Sequence, residues 1–262
     1  MERLRKLIER VADADAVVLI RGETGSGKEM VARAIHESSR RASEPFMAVN
    51  CSALPGPLVE SMIFGHEKGA FTGAQQRVRG QLELAAGGTV LLDEIAEMPV
   101  ELQAKLLRVI EDRRFRPLGS ETEVPLRARL LAATHVDLHE RMAAGRFRED
   151  LFFRLDVVTL EVPSLAEHTA DMPALIATFV AGQSRPLSFT SEAIEWLQRR
   201  SWPGNVRELR NAIERVALLS DAEAVDGAVL REVVGDCTGR AAAEVDKIAR
   251  AILALPERIG SS

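Results

Sequence analysis

One heptapeptide limits the choice of fold more than any other part of the chain: Gly22-Glu23-Thr24-Gly25-Ser26-Gly27-Lys28. Ahead of it an apolar run at 16–20 reads as a buried strand, and behind it residues 28–40 carry helical periodicity. A glycine-rich turn from a strand into a helix N-terminus lets backbone N–H groups curl around phosphate oxygens. The positive end of the helix dipole reinforces them, and Lys28 adds a full charge. The rest of the chain repeats this strand-to-helix rhythm. Strand-like stretches at 46–50, 89–94, 128–134 and 157–162 alternate with helical ones at 57–64, 101–111 and 137–144. The pattern predicts an α/β fold, with a five-stranded parallel sheet flanked by helices.

Pro163 ends the alternation. Beyond it the periodicity is helical, at 171–182, 191–200, 205–220 and 226–234. The expected organisation is an α/β unit over 1–165, a helical unit over 166–236, and a tail over 237–262 that carries one amphipathic stretch at 245–255. With 262 residues, aromatics at 4% and no tyrosine, the core has to rest on Leu, Val, Ile and Ala. A net charge of -5 argues against a nucleic-acid module by bulk charge. Cys51 and Cys237 lack metal-ligand spacing, so a reduced, cytoplasmic compartment is expected. The apolar runs are too short to span a membrane, and the charged opening residues do not form a signal peptide.

The third strand ends in Asp93-Glu94. Two carboxylates at the end of an apolar strand, downstream of a phosphate loop, match the chemistry of nucleotide hydrolysis. Asp93 is expected to hold Mg²⁺ through water and Glu94 to polarise the attacking water. Two solvated acids are the plainer alternative. Glu29 follows Lys28, where Ser or Thr usually ligates the metal. Asn50 ends the second strand and read alone is a turn former. Thr134 and His135 end the fourth as polar groups, the histidine with a charge that depends on pH.

Further on, Arg148 and Arg154 lie six apart, and ion pairs with Glu149, Asp150 or Asp156 are their ordinary explanation. Trp202-Pro203-Gly204-Asn205 marks a turn into a helix, with Asn205 expected as its N-cap. Arg207 then falls in the first turn, against the helix-dipole preference. A cation there implies an anionic partner, either a γ-phosphate or a surface carboxylate.

Between the phosphate loop and the acidic strand end stands Gly69-Ala70-Phe71-Thr72-Gly73-Ala74. Met alone, it reads as a surface turn with Phe71 tucked into the core. In this order it resembles the GAFTGA segment of the bacterial enhancer-binding proteins, the NtrC-like AAA+ ATPases that activate sigma-54 RNA polymerase. The resemblance runs from about residue 1 to 236 and includes the 147–155 segment and Trp202-Pro203-Gly204-Asn205-Val206-Arg207-Glu208-Leu209. It implies an AAA+ P-loop NTPase with a helical lid, and Mg²⁺-dependent ATP hydrolysis at a cleft between the two parts. Gly69, Ala70, Phe71, Thr72, Gly73 and Ala74 would tip a loop, inserted at 64–80, that contacts sigma-54. Asn50 would pair with Glu94 and couple it to that loop. Arg148 and Arg154 would project into the next subunit's site, which implies a ring, in this family a hexamer. Thr134, His135 and Arg207 would sense the nucleotide, although the family usually has asparagine where this chain has His135. Glutamate at position 29 is common in the family.

The resemblance also sets expectations about the ends. Met1 falls within the opening helix of the family pattern, so a short Gly-x-Ser stretch near the adenine is not expected here. No sensor domain and no helix-turn-helix are expected within these residues, so the chain reads as the central module of a longer protein or a truncated product, with any DNA-binding domain expected in the longer parent protein. Two rivals remain: a scaffold of the same fold that binds nucleotide without turning it over, and a generic AAA+ remodeller unrelated to transcription.

Overall fold

Alternate residues of adjacent strands feed two separate cores, and this divides the sheet's helices between its faces. Leu19, Val49, Leu92, Leu130 and Ala132 pack into one cluster; Val18, Ile20, Leu91, Leu131, Ala133 and Leu160 pack into the other. Burial on both faces is what a parallel sheet covered by crossover helices requires. Each fully buried leucine here contributes about 1.5–3 kcal/mol.

The computed structural model describes residues 1–52, 56–183 and 185–235. The amphipathic stretch expected at 245–255, Cys237 and the rest of the 237–262 tail lie outside the described residues. The sheet strands are β1 (Val18–Arg21), β2 (Phe46–Asn50), β3 (Thr89–Asp93), β4 (Arg129–Thr134) and β5 (Val158–Glu161). All neighbours are parallel, in the order β2-β3-β4-β1-β5. The register aligns Asn50 with Asp93, and Arg21 with Thr134, so the C-terminal strand ends form one edge. In an open parallel sheet that edge is where ligands bind.

Helix α1 (Glu2–Val11) buries Leu4, Ile8 and Val11, one stripe at helical spacing. Its last carbonyls are caught by a buried arginine: Nη2 of Arg129 donates to the Val11 oxygen at 2.8 Å, and Nη1 donates to the Ala12 oxygen. Helix α2 (Lys28–Glu37) follows the phosphate loop, and α3 (Gly56–Phe64) leads into the insertion. The insertion's base is a short antiparallel ladder, Gly65–His66 against Val78–Arg79. Then come α4 (Gln81–Leu84), α5 (Val100–Asp112), α6 (Leu138–Ala143) and α7 (Glu149–Leu155). The periodicity gave no sign of α7. It is only seven residues long, and Glu149 and Asp150 in its first turn suit the helix dipole.

The chain divides into two compact units, the first ending at Ser164 and the second beginning at Leu165. The second holds α8 (Met172–Ala181), α9 (Ser191–Arg199), α10 (Asn205–Leu219) and α11 (Gly227–Val234) around Leu197, Trp202, Leu209, Ile213 and Leu230. It is not wholly helical, as the sequence implied: Ser188–Phe189 and Ala224–Val225 form a short parallel ladder. Two residues are too few for an alternating pattern to register.

Asn205 is not the side-chain cap expected of it. Its backbone is left-handed (φ 52), and its buried Oδ1 accepts from the Leu165 nitrogen at 2.8 Å. Glu208 caps the helix start instead, accepting from the Gly204 nitrogen at 2.8 Å. Among the described residues, no helix is long and apolar enough to cross a membrane.

Candidate functional site

The phosphate loop leaves β1 and enters α2 as the spacing implied. Gly22 is held where no other residue fits: a β-carbon would lie 2.7 Å from the Val162 oxygen and 2.9 Å from Oγ of Ser26. Gly27 stands immediately before α2 with φ 101, a region that side chains avoid. The Thr134 carbonyl accepts from the Gly22 nitrogen at 3.3 Å, tying the loop to the end of β4. Glu23 and Thr24 are exposed beside it, and Gly25 is half-buried.

Nζ of Lys28 is 3.0 Å from the Gly22 oxygen and 3.2 Å from the Glu23 oxygen, and it stands 3.7 Å from Oε1 of Glu94. Oγ of Ser26 is buried and has no hydrogen-bond partner. A buried hydroxyl without a partner is unfavourable by about 1–3 kcal/mol. Together with the ammonium and the helix N-terminus, it fits a bound phosphate.

Glu94 stands across from Lys28, and Asp93 precedes it as the last residue of β3. Burial, then the neighbouring Glu94, pushes the Asp93 carboxyl above the usual carboxylate range, and Lys28 partly offsets this. A carboxylate so placed favours a cation beside it. Among the described residues there is no cluster of three or more His, Cys, Asp or Glu able to hold a metal. Glu29 faces elsewhere: its Oε1 accepts from Nη2 of Arg33 at 2.8 Å.

Three sequence expectations meet a different geometry. Asn50 does not hold Glu94; its Oδ1 accepts from the Ser52 nitrogen at 2.9 Å and the Ser52 hydroxyl at 2.7 Å, a local turn. Thr134 is fully buried, and its hydroxyl oxygen accepts from the Val136 nitrogen at 3.0 Å. That bond ties it to the turn after β4. His135 bonds to Glu94: Nδ1 lies 2.6 Å from Oε2. Glu94 also has a left-handed backbone (φ 53, ψ 48), which the sequence did not announce. Such strain in a non-glycine residue concentrates at functional positions. Cys51 is a buried free thiol whose backbone nitrogen donates to the Asp93 oxygen at 2.9 Å. Burial first, then Asp93 and Glu94, pushes its thiol up to about 12.

Both arginines of the 147–155 segment are exposed and paired within the chain. Arg148 bonds Asp150 at 2.7 and 3.0 Å, and Arg154 bonds Glu111 at 2.9–3.0 Å. A residue that sequence reading missed positions the first of them. Gln103 is fully buried. Its Nε2 donates to the Met98 oxygen at 2.8 Å and the Arg146 oxygen at 3.0 Å, and its Oε1 accepts from the Arg148 nitrogen at 2.9 Å. Its only sequence signal was a polar residue on the apolar stripe of α5. Arg207 is exposed in the first turn of α10, in the second unit.

The six-residue tip is a tight turn. Gly69 N donates to Ala74 O at 2.8 Å, and Ala74 N donates to Phe71 O at 3.0 Å. Ala74 is buried, Ala70 half-buried, and Gly69, Thr72 and Gly73 exposed. Phe71 is not tucked into the core: it is 40% exposed and rests edge-on against His66, ring centroids 4.9 Å apart. Nδ1 of His66 is 2.7 Å from the Ser61 hydroxyl. The 114–125 hairpin braces the loop from the side, through Glu67 N to Leu118 O and Leu118 N to Gly65 O, both 2.9 Å.

Known proteins resemble this chain over most of its length. A family model described as the sigma-54 interaction domain matches residues 1–161, and one described as an AAA+ ATPase lid domain matches residues 166–245. The chain is 46% identical over 239 residues to the transcriptional regulatory protein GlrR of Escherichia coli, covering 89% of this chain and 54% of that protein. It is 48% identical over 239 residues to the Nif-specific regulatory protein of Azotobacter vinelandii, covering 89% of this chain and 45% of that one. Among solved structures, NtrX from Brucella abortus in complex with ATP superposes with a TM-score of 0.80 at 40% identity, over 89% of this chain and 53% of that one. The chain thus spans about half the length of the relatives it matches.

Proposed function

Because the chain belongs to the sigma-54 interaction domain family, with an AAA+ lid following, we propose that it is an ATP-hydrolysing module of a transcription activator that remodels sigma-54 RNA polymerase. One observation carries the reading. A phosphate loop with a buried, unpartnered Ser26 hydroxyl, two carboxylates at an adjoining strand end, and an exposed Phe71-Thr72 tip all lie in one compact unit. The ATP complex of NtrX supports the choice of nucleotide.

The residues divide the work. Backbone N–H groups of Gly22, Glu23, Thr24, Gly25, Ser26 and Gly27, with Lys28, receive the phosphates. Asp93 would hold Mg²⁺, which would supply charge neutralisation for the phosphate oxygens. Glu94 takes up the proton of the attacking water, and His135 lies against Glu94. Arg148 and Arg154 exchange Asp150 and Glu111 for the phosphates of a neighbouring subunit in a ring, where such cations are worth about 10³–10⁵ in rate. Loss of the γ-phosphate then resets the 64–80 loop.

The test is ATP hydrolysis per subunit across a wide range of protein concentration. A specific rate that rises steeply with concentration supports trans-acting arginines. A flat, near-zero rate with nucleotide still bound supports the scaffold alternative. For the partner, Thr72→Ala is expected to keep ATPase activity and lose activation of sigma-54 transcription. If activation is retained in full, the loop assignment fails.

A further inference from the structure

Glu94 is held from two sides. One carboxylate oxygen, Oε1, faces Nζ of Lys28 at 3.7 Å; the other, Oε2, lies 2.6 Å from Nδ1 of His135. The His135 backbone nitrogen also faces Oε2, at 3.4 Å. Glu94 follows β3 and His135 follows β4, adjacent parallel strands. The bond therefore spans two strand ends and fixes the carboxylate against the sheet edge. The Glu94 side chain is only 16% exposed, so this is not an ion pair free in solvent. The neighbouring polar groups are engaged elsewhere, Asn50 with Ser52 and Thr134 with Val136. The Lys28 contact is exchangeable, because the same ammonium is the group that receives phosphate oxygens. Once Lys28 turns to them, the contact that remains is His135.

We infer that His135 is a positioning residue that acts through Glu94, setting the orientation of the carboxylate instead of sensing the phosphate itself. The inference rests on the hydrolysis reading above. A carboxylate accepts hydrogen bonds and does not donate them, so Nδ1 carries the hydrogen and the imidazole orients the base as a second acceptor or donor orients many catalytic groups. An asparagine amide reaches the place of Nδ1, and alanine reaches nothing.

The experiment has two arms on the full chain. In the first, His135→Ala is expected to lower kcat about 10–100-fold while the dissociation constants for ATP and ADP stay within about twofold. His135→Asn is expected to recover most of the loss. A weakened ATP affinity with unchanged ADP affinity and intact kcat would mean direct contact with the γ-phosphate, and overturns the inference. The second arm needs no turnover. Nitrogen-15 NMR of the imidazole is expected to show the Nδ1–H form in the unmodified chain and a shift toward the Nε2–H form in Glu94→Ala. Identical His135 signals in the two proteins overturn it. If the unmodified chain binds ATP but does not hydrolyse it, the hydrolysis reading fails, and the NMR arm still decides whether His135 holds Glu94.

Discussion

Gly65 and Gly80 meet backbone to backbone at the neck of the loop that carries Phe71. A β-carbon on Gly65 would lie 2.6 Å from the Gly80 nitrogen, and one on Gly80 would overlap the Gly65 nitrogen and the Ile63 oxygen. The obstruction is backbone, which cannot rotate away. Gly80→Ala is therefore expected to destabilise the chain by about 1–3 kcal/mol and to loosen the loop. Thermal unfolding reads the first effect, and faster amide exchange confined to 64–80 reads the second. An alanine variant with unchanged melting temperature would show that the neck opens without cost.

Arg129 predicts a larger effect at the opposite end of the sheet. It is 2% exposed, and its guanidinium serves the last carbonyls of α1. Burial, then Arg41, holds its pKa below the usual arginine value, so the charge stands in an unfavourable setting that its hydrogen bonds offset. Arg129→Met removes those bonds and leaves two carbonyls buried, for an expected loss of about 2–4 kcal/mol in urea unfolding. The comparison is Arg5→Met, on the exposed face of α1 in an i,i+4 pair with Glu9. It is expected to shift stability by less than about 0.5 kcal/mol.

His36 makes stability depend on pH. It is buried, its Nδ1 lies 2.9 Å from Oγ1 of Thr89, and burial holds its pKa below the ordinary histidine value of 6.5. The folded chain therefore prefers the neutral ring. Its contribution is fully present above the unfolded pKa, and it declines as pH falls through that value toward the folded one. The melting temperature is expected to drop between about pH 7 and pH 5. His36→Gln is expected to lower stability at pH 7.5 and to flatten the slope below it. An equal slope in both proteins would assign the acid sensitivity to other groups.

The proposed trans action of the arginines predicts complementation. Glu94→Gln lacks the base but presents Arg154; Arg154→Ala keeps Glu94 but withholds that arginine from its neighbour. Each alone is expected to fall about 10³-fold or more in turnover. Mixed, they are expected to regain activity wherever a Glu94 site faces an intact Arg154. No recovery on mixing, with rings confirmed by sedimentation, would place Arg154 outside the neighbour's site.

The sheet was legible because its signal is periodic and its strands are bounded by distinct chemistry. Residues 46–50 and the end of β4 at Thr134 fall where the pattern put them. The phosphate loop was legible for the same reason: sequence-local glycines produce sequence-local geometry. What escaped were bonds between distant residues. His135 reaches Glu94 across 41 positions, and Gln103 reaches Arg148 across 45. Neither spacing follows from periodicity, since each depends on which strands and helices become neighbours. Asn205 was misread for a related reason. An asparagine after Pro-Gly suits a cap, but its left-handed backbone turns the amide inward to the Leu165 nitrogen.

The buried Gln103 amide has a consequence outside its own subunit. Its three bonds knit α5, the Met98 turn and the backbone of Arg146 and Arg148 into one piece. On the proposed ring, Arg148 is a tool lent to the next molecule, but its mounting lies in the lender's interior. A packing defect around α5 would then leave its owner's pocket whole and be felt next door, so that heredity of the fault and site of the symptom belong to different copies of the same chain.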